Sequence, residues 1–346
     1  MNIRFATPKE MTSWDTLVIQ NTDAGNIFQG AIFANLKQST GWQPRYIIAG
    51  SLAILALEKH IPVIGKIWYL PKGPGVIDTT QLGALLPLLR DFARKHGVFS
   101  VKLEPELFDT PETQSALTEL SLVKTVPIQP NYATVLLDIR EPLDDVLSGL
   151  NQKGRHAIKR AQRDGVTVKR VDTTDDNCQL MYQLLSGTAE GSFRIRSFNY
   201  YKTFWQSYSQ AEQGQLFFAY VDGQIVAGAF ALILGTKSTY KDGASIKERT
   251  AYGASHLLQW EVITWAKEQG ALTHDLCGTP PSAAIKDPSH PHYGLGRFKT
   301  SFNKTVTDYV GAYDLVVKPA QYKLWRSAGE RIVTRIHSKR YNENWW

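Results

Sequence analysis

Cysteine is almost absent from this chain. Two residues, Cys178 and Cys277, among 346 are too few for a disulfide framework or an all-cysteine zinc site, and both read as reduced thiols. Long apolar runs are also missing. The longest, such as Ile47 to Leu57, fall short of the ~20 residues that a membrane span needs. At the N-terminus, Arg4, Lys9, Glu10 and Asp15 interrupt any stretch of the kind a secretory signal requires, so a cytoplasmic location is expected. The chain has no phosphate-binding P-loop and no G-x-S-x-G nucleophile elbow. His290 and His292 flank Pro291 but lack a third ligand nearby, so no metal site and no resident cofactor are expected.

Acids are the scarcer charge. The 39 Lys and Arg against 32 Asp and Glu leave a net charge of +7, which favours an anionic partner such as a nucleic acid, a nucleotide or an anionic membrane face. Apolar residues at 43% and charged residues at 21% are those of a globular protein, and 346 residues suffice for two domains.

The chain opens with Thr7-Pro8-Lys9-Glu10, a capping box with proline in the first turn, and the pattern predicts a helix to Ile19. Further helices are expected over 30–38, 79–96 and 112–120. Strands are expected at 45–49 and 51–57 around Gly50, then at 66–70, 99–103 and 134–139. Leu82, Leu85, Leu86, Leu89 and Phe92 line one face of the 79–96 helix. A second unit repeats this order. A basic helix covers 143–164, followed by a strand at 166–171 and helices at 174–187 and 200–210. A meander over 216–221, 224–234 and 238–242 turns first at Asp222-Gly223. A helix at 252–269, strands at 273–276 and 306–317, and a helix at 320–337 complete the chain. The repetition predicts an α+β protein of two units, each a mixed, twisted sheet flanked by helices, an order compatible with the acetyltransferase-like (GNAT) fold.

Four segments carry chemistry. Between Lys153 and Arg170 stand seven Lys/Arg and one acid, with Arg155, Lys159 and Arg163 at i, i+4, i+8. This is either a phosphate-backbone contact or a solvated helix face. From Phe193 to Tyr201, two arginines are interleaved with aromatics, and Arg196 is suited to gripping a phosphate or carboxylate. Arg249-Thr-Ala-Tyr-Gly253-Ala is one residue too long, and one glycine short, for the pyrophosphate turn of an acetyl-CoA enzyme. Finally, Pro291 to Leu315 gathers glycines, aromatics and lysines. Gly294, Gly296 and Gly311 permit close approach or positive φ. Lys299 follows the glycine-rich stretch, at what reads as a loop-to-strand junction. It is either an oxyanion-stabilising group or a solvated lysine.

Gly296-Arg-Phe-Lys-Thr-Ser-Phe302 followed by Gly311-Ala-Tyr-Asp314 resembles the C-terminal signature of the Fem family. These are the FemA/FemB/FemX-type transferases, which use aminoacyl-tRNA to extend the stem peptide of peptidoglycan precursors. The likeness runs through most of the chain in order. It includes Gln29, Lys37 and Trp42, then the Tyr69 to Pro74 turn and Lys102-Leu-Glu-Pro105. Gln129-Pro130 with Asp138, and Lys153-x-Arg155 through Gly165-Val166, come next. Asp275-Leu-x-Gly278 completes it. The long charged heptads of a helical-hairpin arm are missing, so the chain is similar to the compact FemX type.

The resemblance implies two GNAT-like domains, set at 1–147 plus 311–346 and at 148–310. It implies transfer of an amino acid from aminoacyl-tRNA to a UDP-linked precursor (UDP-MurNAc-pentapeptide) or to its lipid-linked form, lipid II. A monomer is expected, with peripheral association at the inner membrane face among the expectations. Lys299 would stabilise the oxyanion, with Phe298 beside it. Lys37 and Arg196 would contact the pyrophosphate, Tyr200 would sit with them, and Phe99 stands where a family aromatic touches substrate. The helix bearing Lys153, Arg155, Lys159, Arg160 and Arg163 would take the tRNA. Where the family carries tyrosine before Gly243-Ala-Ser245, this chain has Asp242, with Tyr240 two residues earlier. Phe99 lacks the family tyrosine's hydroxyl, Glu104 replaces an aspartate, and Asn303 stands for a glycine. The alternatives are a non-catalytic member that binds a nucleotide-sugar or RNA, and an acyl-CoA-dependent N-acyltransferase.

Overall fold

The computed structural model describes residues 2–129, 132–190, 194–246, 252–341 and 345–346. Pro130, Phe193 and residues 249–251, which belong to segments singled out above, lie outside the described residues. The chain forms two compact units, residues 1–132 with 309–346, and residues 133–308. The boundaries fall earlier than the expected 147/148 and 310/311. The strand Leu136–Asp138 pairs within the second sheet, and Val135, Leu137, Ile139 and Val146 belong to the second core.

In order, the first unit holds β1 (Ile3–Phe5), α1 (Pro8–Thr12), α2 (Trp14–Ile19), α3 (Ala31–Ser39), β2 (Gln43–Ala49), β3 (Leu52–Ile61), β4 (Gly65–Leu70), α4 (Thr79–Lys95), β5 (Val98–Leu103), α5 (Pro111–Glu119) and β6 (Val123–Thr125). The helix expected to Ile19 is two helices. The Thr7–Glu10 capping box forms as expected, but Ser13 leaves helical geometry at ψ 29° and ends α1. The apolar run of β3 is buried almost throughout, as befits a central strand. The predicted apolar stripe of α4 packs on Trp68, Val101 and Leu103. The Asp78 carboxylate caps α4 by accepting from the Gln81 N–H at 2.7 Å.

The second unit holds β7 (Ala133–Thr134), β8 (Leu136–Asp138), α6 (Leu143–Gly149), α7 (Gln152–Arg163), β9 (Thr167–Val171), α8 (Asp175–Ala189), α9 (Phe198–Gln210), β10 (Gly214–Val221), β11 (Gln224–Leu234), β12 (Lys237–Ser245), α10 (Ala254–Glu268), β13 (Thr273–Asp275), α11 (Tyr293–Lys299) and β14 (Thr307–Asp308). The single basic helix expected over 143–164 breaks where Leu150 adopts ψ 156°. The β10–β11 turn takes positive φ at Asp222 (49°) and Gly223 (77°), as its sequence predicts. The chain then returns to the first unit with β15 (Ala312–Val316), α12 (Pro319–Leu324), a π-helical turn at Trp325–Gly329, and α13 (Glu330–Tyr341). The strand expected over 306–317 is therefore two strands in two units, separated at Gly311, whose φ is +82°.

Among the described residues the first sheet runs β1-β2-β3-β4-β5-β15-β6 and the second β8-β13-β12-β11-β10-β9. Each contains one parallel pair, β4–β5 and β12–β13, spanned by a crossover helix, α4 and α10. The other neighbours are antiparallel. This is the duplicated acetyltransferase-like arrangement that the sequence order suggested.

Candidate active site

The site grows out of the β12–α10–β13 crossover of the second unit. Along β12 the register pairs Ala231 with Tyr240 but Phe230 with Asp242, so Lys241 is the extra residue of a β-bulge. Ala231 and Phe230 are consecutive and face opposite sides of the sheet. Tyr240 therefore sits on the α10 face, against the core of Ala229, Ala231 and Leu258. Asp242 sits on the α9 face, where it accepts from Trp205 Nε1 at 2.9 Å and pairs with Lys241 at 3.0 Å. Both lie on the expected strand, but the bulge separates them. Asp242 is a buried anchor for Trp205, whereas the Tyr240 ring lines a cavity of about 400 Å³ with His256, Phe298, Gly243 and Ser255. Burial, then the Asp242 charge, raises the Tyr240 pKa, so its hydroxyl stays a hydrogen-bond donor.

One wall of that cavity is the start of α10. Gly253 is its N-cap at φ +82°, and among the described residues no side chain caps the helix. Glycine is required twice here, since a Cβ at Gly253 would also fall 2.2 Å from the Ala157 carbonyl oxygen. In α4, its counterpart in the first unit, Asp78 makes a capping bond that α10 lacks among the described residues. A free helix N-terminus favours an anion.

Lys299 does not stand at a loop-to-strand junction. It is the last residue of α11, 4% exposed, and its ammonium donates to the carbonyls of Cys277 and of Gly278, the latter at 2.5 Å. Gly294 and Gly296 lie inside α11, where Gly296 admits Pro280 and Ile285, 3.0 and 2.7 Å from where its Cβ would be. The turn after β13 delivers the two carbonyls. Asp275 accepts from the Cys277 N–H at 2.7 Å and from the Thr134 hydroxyl, and Cys277 itself holds φ +59°. An ammonium has three donors. Two are engaged among the described residues, which fixes the group. Burial holds the Lys299 pKa below the ordinary lysine value.

Phe298 lines the cavity beside His256, ring centroids 5.0 Å apart, and His256 stacks on Phe302 at 5.7 Å. Burial lowers the His256 pKa to about 4, so the imidazole is neutral at physiological pH. The sequence reading missed His256 and the Cys277 and Gly278 carbonyls. Only the lone Gly253 marked the helix start against which His256 sits. Behind the cavity, His274 is fully buried between Ser238 Oγ at 2.7 Å and Gln259 Nε2 at 2.8 Å, which ties β12, α10 and β13 together.

Helix α7 is strapped to the same region. Gly154 meets the Ser301 carbonyl, where a Cβ would come within 2.3 Å, and Asn151 Nδ2 donates to the Thr300 carbonyl at 3.3 Å. Lys153, Lys159, Arg160 and Arg163 are exposed, Arg160 lying over the Tyr252 ring at 4.8 Å. Arg155 does not share that free face. Its guanidinium turns back onto the Ser148 carbonyl at 2.6 Å and onto the Leu150 carbonyl, closing the C-terminus of α6. Arg196 and Tyr200 lie together, the guanidinium 4.6 Å from the ring centroid.

In the first unit, Lys37 is buried in α3 with its ammonium 5.4 Å from the Phe33 ring centroid. Phe99 departs from expectation. It has no exposed surface and packs on Trp325 at 6.0 Å, because its side of β5 is covered by the C-terminal helices, so it offers no face to a ligand. Asp314 and Glu104, read as motif residues, are interior anchors. Lys102 pairs with Asp314 at 3.1 Å, and Glu104 accepts from Tyr69 Oη at 2.6 Å and Gln129 N at 3.1 Å.

Two acetyltransferase-like units, one with a cavity at the start of a crossover helix and with a buried ammonium next in sequence to the Phe298 that lines it, are the frame of an acyl-group transferase. The chain belongs to the FemAB family, whose model matches residues 116–224 and 219–329. It is 21% identical to a lipid II:glycine glycyltransferase of Staphylococcus aureus (strain MRSA252), over 91% of this chain and 93% of that protein. A solved structure described as FemX superposes with a TM-score of 0.80 at 20% identity, covering 94% of this chain and 99% of the other. The C-terminal domain of a putative lysylphosphatidylglycerol synthetase from Agrobacterium fabrum shares the fold at a TM-score of 0.53 and 16% identity, covering 93% and 96%.

Proposed function

We propose that the protein transfers an amino acid from aminoacyl-tRNA to the stem-peptide amine of a peptidoglycan precursor, UDP-linked or lipid-linked. The observation that carries this reading is the Lys299 ammonium, clamped by two carbonyls and next in sequence to Phe298, which lines a cavity that reaches Gly253 at the start of α10. The aminoacyl ester is already activated, so the protein needs chiefly to position the reactants and stabilise charge. In this reading the cavity takes the 3′ end of the donor, with a phosphate toward the start of α10. The third donor of Lys299 meets the oxyanion that forms as the amine attacks the ester carbonyl. Tyr240 orients substrate from the opposite wall. The exposed cations of α7, Lys153, Lys159, Arg160 and Arg163, meet the RNA backbone, while the Arg196–Tyr200 pair serves the precursor's pyrophosphate. The glycyltransferase relative supports the reaction class and a lipid-linked acceptor.

The test is a transfer assay with the whole protein, a pool of tRNA charged with labelled amino acids, and each acceptor in turn, with Lys299→Met as control. Label on the peptide with the wild type alone supports the reading and identifies the amino acid. Absence of label with both acceptors, while either still binds, would overturn it in favour of a non-catalytic binding protein. Label supplied instead by an acyl-CoA would overturn the choice of donor.

A further inference from the structure

The C-terminal helices of the first unit carry a face that the fold does not use. Between Lys323 and Arg340 the sequence has six Lys/Arg against one acid, Glu330. Tyr322, Trp325 and Gly329 are buried. Leu324, Ile332 and Ile336 are instead 49%, 51% and 61% exposed. Ile332 and Ile336 are one helical turn apart and form a single apolar stripe. Arg331, Arg335 and Lys339, at i, i+4, i+8, form the stripe beside it. All three are exposed and none makes an ion pair among the described residues, whereas Arg326 pairs with Glu330 at 2.8 Å. A one-sided row of cations repels itself and lowers helix stability unless something anionic meets it. RNA would answer the cations but gains nothing from the isoleucines. A surface of anionic phospholipid answers both, because the apolar stripe enters the headgroup boundary while the arginines meet lipid phosphates.

We propose that the exposed face of α12 and α13 is a docking surface for an anionic membrane. The inference rests on this helix pair and holds whether or not the transfer reaction does. It is tested by co-sedimenting the whole protein with vesicles of phosphatidylcholine alone and of phosphatidylcholine with phosphatidylglycerol. Ile332→Ser with Ile336→Ser, and Arg331→Gln with Arg335→Gln, are the variants. All four positions are exposed, and an unchanged melting temperature confirms that each variant folds. The wild type should sediment with anionic vesicles and much less with neutral ones. The isoleucine pair should lower partitioning about ten-fold or more, including what survives at high salt. The arginine pair should lower it about five-fold per arginine and abolish the preference for anionic lipid. No binding to anionic vesicles would overturn the proposal. So would an isoleucine variant that binds like the wild type while RNA displaces the vesicles, which would make the face a polyanion site.

Discussion

The hydroxyl of Tyr240 fills the space that a side chain at Gly243 would need, lying 1.7 Å from where a Cβ would be placed. The ring is held there by the bulge at Lys241, which turns Tyr240 toward the cavity and Asp242 away from it. Gly243→Ala should therefore expel the Tyr240 hydroxyl without disturbing Asp242 or its bond to Trp205. Transfer activity should fall about ten-fold or more, as for removal of one polar group from a closed site. Tyr240→Phe should fall comparably. Steady-state kinetics of both variants, beside thermal melts, checks this. A fully active Gly243→Ala enzyme would show that Tyr240 is only packing.

Lys299 should govern the alkaline limb of the pH profile. Its pKa is lowered by burial, so the neutral amine appears at a lower pH than for an exposed lysine. Activity that needs the ammonium should therefore decline before pH reaches the ordinary lysine value. Stability has the opposite sign. Between the lowered folded pKa and the unfolded value near 10.5, the unfolded chain binds more protons than the native one, so this group's contribution to stability rises with pH. Lys299→Met should lower turnover by about 10²–10³-fold, the usual loss for one oxyanion donor. It should also remove the alkaline limb. Turnover of the wild type and the variant measured across pH 7 to 11 tests both statements.

How much of this was legible in the sequence depends on what each motif does. The crossover helices, the Asp222-Gly223 hairpin and the duplicated sheet were readable because periodicity and turn chemistry are local. The motif blocks were also visible, but their partners were not, since those lie far away along the chain. Gln29 donates to the Pro71 carbonyl at 2.7 Å and accepts from the Leu55 N–H at 2.8 Å, so two separate motif segments meet in one buried cluster. Lys102 meets Asp314, and Asp275 shapes the turn that holds Lys299. Nor did the sequence mark the bulge at Lys241, which puts Tyr240 and Asp242 on opposite faces of β12 although they are two residues apart. Helix lengths were overestimated at Ser13 and Leu150, where apolar periodicity continues through a backbone break.

The Lys102–Asp314 pair should behave as a stability element rather than as part of a site. Both side chains are 2% exposed, and the pair is completed by Tyr322 Oη donating to Asp314 at 3.0 Å and by Lys102 donating to Thr125 Oγ1 at 2.6 Å. Lys102→Met leaves a buried carboxylate without its cation, which destabilises by about 3–5 kcal/mol. Combining it with Asp314→Leu should restore part of that loss, because no lone charge remains. Denaturant midpoints of the two single variants and the double variant decide the matter. Additive losses would mean that the two groups do not act as a pair.

Arg155 and its helix neighbours should separate cleanly in RNA binding. Lys153, Lys159 and Arg163 project from α7, so in the proposed reaction each neutralises a phosphate and releases condensed counterions. Replacing Lys159 and Arg163 by glutamine should weaken tRNA binding uniformly across sequences and reduce the salt slope by about one for each phosphate no longer neutralised. Melting temperature should barely change, because neither side chain is buried. Arg155 caps the carbonyls of Ser148 and Leu150 and lies outside that row. Arg155→Ala should therefore lower the melting temperature, with a loss of about 1–3 kcal/mol from carbonyls left without a donor, and leave the salt slope as it was. Filter binding between 50 and 200 mM salt, paired with thermal melts, distinguishes the two classes. If Arg155→Ala shifted the slope as Lys159→Gln does, the guanidinium would have to leave its carbonyls to reach the RNA, and α6 would lose its cap whenever the donor binds.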